Sequence, residues 1–518
     1  MSQPKLNWDA IRQQLRARGG KAFWRSLEEV AQGEEFYTFL QHEFPRELMS
    51  GTFRTNRRTF LKLMGAALVM AGVTGCNFNE PADPIVPYVT QPEDIVQGVP
   101  LFFASAMPFR GYGLGVLVEN QMGRPTKIEG NPQHPASLGG TNAFMQGSVF
   151  NLYDPDRPQT VTQNGDISTW DLFLTALEAR RGDLSANGGA GLRVLSKSFT
   201  SPTLAAQLRA LREQFPQMRW HQYDAVGLDN VRAGATLAFG LALNPVYNFS
   251  KAARVLSLDA NFLYTLPGSL TYARQFMAQR RTALTAEGVA PMAMSRLYMV
   301  ESTPTITGAK ADHRLPLRAS QIEEFARAVA TALGIEVAPG ATTWSAAQTA
   351  WLTTLVNDLT QHRGASLVIA GEEQPPVVHA LAHAMNAQLG NIGQTVTFTE
   401  PIEVEPVDSL QSIRELTEAM AAGQVDTLLI IDANPVYTAP VELDFGTHLA
   451  NVAFAVHTSL HYDETAQRCQ WHIPQPHYLE AWSDVRAFDG TTTIIQPLIA
   501  PLFNSRTPHQ MVAVLLGQ

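Results

Sequence analysis

Two cysteines are all that 518 residues carry, Cys76 and Cys469, and they stand far apart in the chain. No disulfide framework can be built from such a pair, and a four-thiolate metal centre cannot be drawn from two thiols. Cys469 reads as a buried or half-buried thiol. Charge is sparse: 16% of residues are charged, the net charge is −9, and the body of the chain has no basic cluster. That balance excludes nucleic acid as a partner. Long apolar runs are also missing. The most continuous, Leu63 to Val73, is about a dozen residues, short of the roughly 20 needed to span a bilayer. An apolar content of 45% nevertheless marks a packed globular protein rather than a disordered one, and the length calls for two or three domains.

Residues 1–49 read as a helical leader, with amphipathic stretches at Trp8 to Arg18, Phe23 to Val30 and Glu34 to Phe44. Phe36, Phe39 and Phe44 suit a docking arm as well as they suit a plain soluble leader. Residues 50–76 contain Arg57-Arg58-Thr59-Phe60-Leu61-Lys62, the short apolar run and Val73-Thr74-Gly75-Cys76. Paired arginines ahead of a short apolar segment have the form of a twin-arginine export signal, in which Arg57 and Arg58 are the signal residues. The small residues before Cys76 resemble a lipobox, which would make Cys76 the lipidated residue.

Residues 77–160 begin as a Pro-rich tether and end in GRPTKIEGNPQHPASLGGTNAFMQGSVFNLYDPDRP, from Gly123 to Pro158. Leu114 to Val118 and Thr126 to Glu129 are strand candidates joined by the polar Asn120-to-Pro125 turn, a hairpin signal. Gly130-Asn131-Pro132 stops the second strand, since proline cannot donate to a ladder.

This wording resembles the N-terminal region of the molybdopterin-dependent oxidoreductases. The Arg pair some fifty residues in, the WRSLEE-like segment and the EFP ahead of it resemble one subgroup. That subgroup is the molybdopterin-oxidoreductase-like iron–sulfur subunit of bacterial alternative complex III. In redox-active members an iron–sulfur cluster is held by cysteines at this hairpin. The last should fall near 141–143, where this chain has Thr141, Asn142 and Ala143.

After Pro158, apolar strand candidates alternate with amphipathic helices. Examples are strand Gly191 to Ser196, helix Pro202 to Phe215 with Ser201 as N-cap, strand Arg254 to Leu258, strand Ser366 to Ala370 and strand Thr427 to Ile431. The alternation predicts an α/β fold with parallel sheets covered on both faces. We expect two doubly wound, Rossmann-like lobes plus a small N-terminal β region. The first lobe is placed at 161–315, the second at 316–470, and a return segment at 471–518. Lys310-Ala311-Asp312-His313-Arg314 resembles the linker between lobes.

Asn-Pro-Val-Tyr occurs at Asn244 to Tyr247 and again at Asn434 to Tyr437. Post-strand Asn-Pro loops hold the nucleotide arms of the cofactor in active family members. The resemblance therefore makes Asn434 a vestigial cofactor-binding candidate, and a turn made for backbone reasons is the competing reading. A molybdenum ligand should come from Phe199 to Thr203, which has no cysteine; Ser201 suits an N-cap better. His379 and His383 share a helix face at metal-compatible spacing, without a third ligand nearby. The group His457, His461, Asp463, Glu464, His472, His477 and Glu480 is dense, but no serine elbow or Gly-rich phosphate loop accompanies it.

The resemblance implies no catalytic residue, metal ligand or cofactor in this chain; the alternative is molybdopterin guanine dinucleotide between the lobes. Iron–sulfur clusters are expected on a ferredoxin-like partner subunit or a continuation of the chain. An integral membrane quinol-binding subunit and multihaem cytochrome c subunits complete the implied partners. The implied place is the outer, periplasmic face of the bacterial cytoplasmic membrane, held there through a lipid on Cys76.

Overall fold

The computed structural model describes residues 95–96, 98–281, 283–285, 288–290 and 294–518. The leader, the twin-arginine segment with Arg57 and Arg58, and Cys76 lie outside the described residues.

The expected hairpin is present and longer. Tyr112–Gln121 pairs antiparallel with Arg124–Gly130, and a third strand, Leu101–Phe109, joins its other side. Met122 and Gly123 both have positive φ, 52° and 86°, the mirror-type turn whose twist matches its strands. Methionine is a poor residue for that conformation. Asn120 Oδ1 compensates by accepting from Gly123 N at 2.7 Å.

Two parallel sheets follow. A seven-stranded sheet contains, in spatial order, Asp166–Ile167, Thr162–Gln163, Trp471–Pro474, Phe454–Ser459, Thr427–Ile431, Leu192–Ser196 and Arg219–Gln222. Its last five strands run parallel. A four-stranded parallel sheet contains His313–Pro316, Arg296–Glu301, Arg254–Leu258 and Ser366–Ala370. Leu192–Ser196, Ser366–Ala370 and Thr427–Ile431 are buried at every position, which is why they read as continuous apolar runs rather than alternating ones.

The strands divide the chain differently from the boundary expected at 315/316. Residues 192–222 and 427–474 build one sheet together, and the second sheet is assembled from residues between them. Apolar runs in parallel sheets carry no mark of their partner, so sequence order was a poor guide to sheet membership. His313–Pro316 is correspondingly an edge strand of the four-stranded sheet rather than a linker. Its charges are paired, Asp312 with Arg280 at 2.8 Å and Arg314 with the buried Glu301.

The helices that were not anticipated include Trp170–Ala186, capped by Thr169, and Ala346–Gln361, opened by a Ser345/Gln348 capping box. The first Asn-Pro-Val-Tyr is a strand pairing antiparallel with Val396–Thr399. The return segment supplies strand Trp471–Pro474, the hairpin Ser483–Arg486/Thr492–Ile495 and helix Pro508–Leu516. Met511, Val512 and Leu515 of that helix are buried with Leu204, Leu208 and Leu211 of helix Pro202–Gln214 in the first sheet's core.

Candidate functional site

A cavity of about 780 Å³ opens where the strands of the seven-stranded sheet end, the edge at which ligands of open α/β sheets bind. Several segments line it. They include the turn Pro108–Tyr112, the loop Ser196–Ser201 after the strand Leu192–Ser196, the loop Asp224–Leu228, and the return segment around Trp482–Val485.

The turn Pro108–Tyr112 reaches across the cleft. Gly111 has φ 83°, and a Cβ there would stand 2.8 Å from Ser198 O, so a side chain is excluded on both counts. Thr200 Oγ1 donates to Gly111 O at 2.7 Å. Arg110 donates through Nη1 to Thr265 O (2.7 Å) and to Glu372 Oε2 (3.0 Å). Glu372 is 5% exposed, its Oε1 has no hydrogen-bond partner, and burial pushes its carboxyl up to about 7. Tyr112 donates to Glu403 Oε1 at 2.8 Å, and Glu403 pairs with Arg232 at 3.3 Å. Burial first, then the Glu403 charge, holds the Tyr112 phenol well above its usual value.

The position expected to offer a metal ligand is otherwise engaged. Ser201 is the N-cap of helix Pro202–Gln214, accepting from Leu204 N at 3.1 Å and donating to Asp484. Asp484 also accepts from Thr203 N at 3.2 Å and from Thr203 Oγ1. Ser201 and Thr203 are therefore fastened to the return hairpin, and the loop has no thiolate. A molybdenum ion does not fit these residues. Among the described residues, no group of three or more His, Cys, Asp or Glu is placed to hold a metal. At the hairpin, Asn142 stands in the expected cluster-cysteine region as a helix N-cap, accepting from Met145 N at 2.8 Å.

Asn434 caps the short helix Pro435–Thr438 at the end of strand Thr427–Ile431. Its Oδ1 accepts from Thr465 Oγ1 (2.7 Å) and its Nδ2 donates to Glu464 (2.7 Å). The four-stranded sheet repeats this arrangement, which sequence reasoning missed. Asp259-Ala260-Asn261 follows strand Arg254–Leu258 as Asp432-Ala433-Asn434 follows Thr427–Ile431. Both aspartates are left-handed, with φ 58° and 49°. Asn261 Oδ1 accepts from Thr307 Oγ1 at 2.8 Å, as Asn434 does from Thr465. Each threonine opens a one-turn 3-10 helix leading to a strand that ends in proline, Pro316 or Pro474. The shared Asp-Ala-Asn after an apolar strand is the sequence signal for it.

His379 and His383 do share a helix face and are buried, and neither Nε2 has a hydrogen-bond partner. His383 lies between Phe239 and Phe398, 5.2 Å from each ring, and burial lowers both histidines to about 4. The histidines near the C-terminus disperse. His457 and His472, fully buried on adjacent strands, meet Nδ1 to Nδ1 at 3.2 Å. His457 Nε2 donates to Ala433 O at 3.0 Å, so its Nδ1 accepts the proton carried by His472 Nδ1. His461 turns to Asp154 (3.2 Å), and His477 donates its backbone N–H to Glu480 (2.6 Å).

No protein-family model matches the chain. Its sequence is similar to a subunit of Nitratidesulfovibrio vulgaris named menaquinone reductase, molybdopterin-binding-like subunit. The two are 27% identical over 458 residues, covering 78% of this chain and 63% of the relative, so the chain spans less than two thirds of that protein's length. The fold is similar to that of acetylene hydratase from Pelobacter acetylenicus, with a TM-score of 0.57 and 13% identity over 80% of this chain and 69% of the other. The chain has a mixed α/β, molybdopterin-oxidoreductase-like fold.

Proposed function

We propose that this chain is a cofactor-poor scaffold module of a membrane quinol:acceptor oxidoreductase of the alternative complex III kind. It serves respiratory or photosynthetic electron transfer. The observation that carries this reading is the engagement of Ser201 and Thr203 by Asp484 where a metal ligand would be needed. The relative named as a molybdopterin-binding-like subunit of a menaquinone reductase supports the quinone side of it.

In this reading the module positions an iron–sulfur subunit between a membrane quinol-binding subunit and multihaem cytochromes c. It works at the periplasmic face after twin-arginine export through Arg57 and Arg58, anchored by lipid on Cys76. Among the described residues no helix is long and apolar enough to cross a membrane. Asn434 is a vestige of a nucleotide-arm loop, now used to bridge two strand ends.

A second reading has one observation in its favour, the cavity at the strand ends: a catalytic subunit holding molybdopterin guanine dinucleotide between its lobes. Metal and pterin analysis of the purified full-length chain separates the two. The scaffold reading expects neither molybdenum nor iron in stoichiometric amount. Stoichiometric molybdenum with pterin fluorescence overturns it. Deleting the chain is expected to disassemble the complex, whereas Asn434→Ala, Ser201→Ala and His379→Ala leave quinol oxidation nearly intact in assembled complex.

A further inference from the structure

Beyond the scaffold reading, the charges inside the cleft are not arranged for a phosphorylated cofactor. Every cation lining it stands within 3.5 Å of a carboxyl group. Arg232 pairs with Glu403 and Asp229, Lys197 with Asp432 at 3.5 Å, and Arg110 with Glu372 at 3.0 Å. Two carboxylates lining the same cavity have no such match among the described residues. Asp224 accepts from the backbone N–H of Ser198 at 3.0 Å, and Asp484 accepts from Ser201 and Thr203. These donors are neutral, so the negative charge stays in the cavity. Burial raises the Asp224 carboxyl above its usual range, and the hydrogen bonds from Ser198 and the charges of Lys197 and Arg232, neither of which forms an ion pair with it, only partly offset that.

The rim has a second unusual property. Large apolar side chains stand exposed around the same opening: Trp482 at 63%, Val226 at 62%, Phe144 at 49% and Tyr264 at 39%. Phe109, Phe144 and Tyr264 form a row, with ring centroids 4.7 and 6.3 Å apart along it. Exposed apolar groups scattered singly need no explanation, but several gathered on one cavity mark a binding site. Aromatic faces carry the negative end of a quadrupole and attract cations, more strongly where water is thin.

We propose that this cavity binds a planar aromatic cation, held between the aromatic rim and the unmatched carboxylates of Asp224 and Asp484, and that it rejects phosphate esters. A volume of about 780 Å³ suits a ligand of two or three fused or linked rings. The phosphates of a dinucleotide would meet excess negative charge at the strand ends, where a phosphate site needs unpaired donors.

The test is a fluorescence titration of the purified full-length chain with two probes of similar size and opposite charge. Thioflavin T is the cation and 8-anilinonaphthalene-1-sulfonate the anion; GDP is a third arm. Saturable one-to-one binding of the cation, about tenfold or more tighter than the anion, is expected, with no binding of GDP. Trp482→Ala and Phe144→Ala, both at exposed positions, weaken the cation severalfold, and Trp482→Phe restores it. Asp224→Asn narrows the gap between cation and anion. Equal or tighter binding of the anion, binding of GDP, or cation binding indifferent to Trp482→Ala and Phe144→Ala overturns the proposal. Metal and pterin content decide the scaffold reading by a separate measurement, so the two fail separately.

Discussion

Arg157 and Glu480 form an ion pair at 2.6 Å with side chains 1% and 0% exposed, tying the end of the hairpin region to the return segment. The pair is embedded rather than isolated. Arg157 Nη1 also donates to Leu152 O (2.7 Å), and Glu480 accepts from His477 N (2.6 Å) and Leu502 N (2.8 Å). Removing one partner leaves the other charged and dry. Glu480→Ala is expected to cost about 3–5 kcal/mol, read as a lowered midpoint in urea unfolding. A loss below about 1 kcal/mol, the range of exposed pairs, would mean that water reaches the site.

Acid should destabilise the fold earlier than carboxylate titration alone would. Burial lowers His221, His379 and His383 to about 4 and His472 and His477 to about 3. In the unfolded chain these groups take protons near 6.5. Between those values the unfolded state binds more protons, so their contribution is complete above pH 6.5 and is lost as pH falls towards 4 and below. Each costs up to about 1.4 kcal/mol per pH unit in that window. Unfolding midpoints should drop steeply from pH 6.5 to 4.5, and less steeply in His383→Phe.

Glu372 has the opposite sign. Its folded value of about 7 lies above the ordinary carboxylate range. The unfolded chain therefore gives up this proton first, and the stability gained from keeping it falls as pH rises from about 4.5 to 7. Glu372→Gln should gain on the wild type by up to about 3 kcal/mol between pH 5 and pH 8. Equal differences at both pH values would show that Glu372 is ionised throughout.

The two Asp-Ala-Asn loops should be energetically equivalent. Asn261→Ala and Asn434→Ala each leave a threonine hydroxyl without its acceptor, and each is expected to cost about 1–2 kcal/mol. Chemical denaturation of the two variants checks it. A loss at Asn434 several times that at Asn261 would separate the lobes.

Gly234 is a packing glycine. A Cβ there would stand 2.3 Å from His379 Cβ and 2.7 Å from Pro376 O. Gly234→Ala should destabilise by about 1–3 kcal/mol, although alanine is the better helix former. Thermal unfolding reads the sign directly.

The sequence disclosed the local structure far better than the assembly. Strands Arg254–Leu258, Ser366–Ala370 and Thr427–Ile431 coincide with their apolar runs, and Ser201-Pro202 marked a helix start to the residue. Helix Trp170–Ala186 escaped because only Phe173, Leu177 and Leu184 are buried on it, too few to set a period. At the site, the missing thiolate was legible from composition. The Asp484 clamp was not, because it joins residues 283 positions apart and nothing local announces it. The Arg110–Glu372 contact, 262 positions apart, was hidden in the same way.

The interleaving of the two sheets sets an order of events during synthesis. Strands Arg254–Leu258, Arg296–Glu301, His313–Pro316 and Ser366–Ala370 emerge in one stretch and can close their sheet as soon as they leave the ribosome. Leu192–Ser196 and Arg219–Gln222 emerge earlier, yet Leu192–Ser196 must wait for Thr427–Ile431, its neighbour on the other side. Until then it presents an open apolar edge, the kind of surface that recruits chaperones or aggregates. Closing so long a loop is slow, so the chain's last quarter acts as the final clasp of a sheet begun some two hundred residues before.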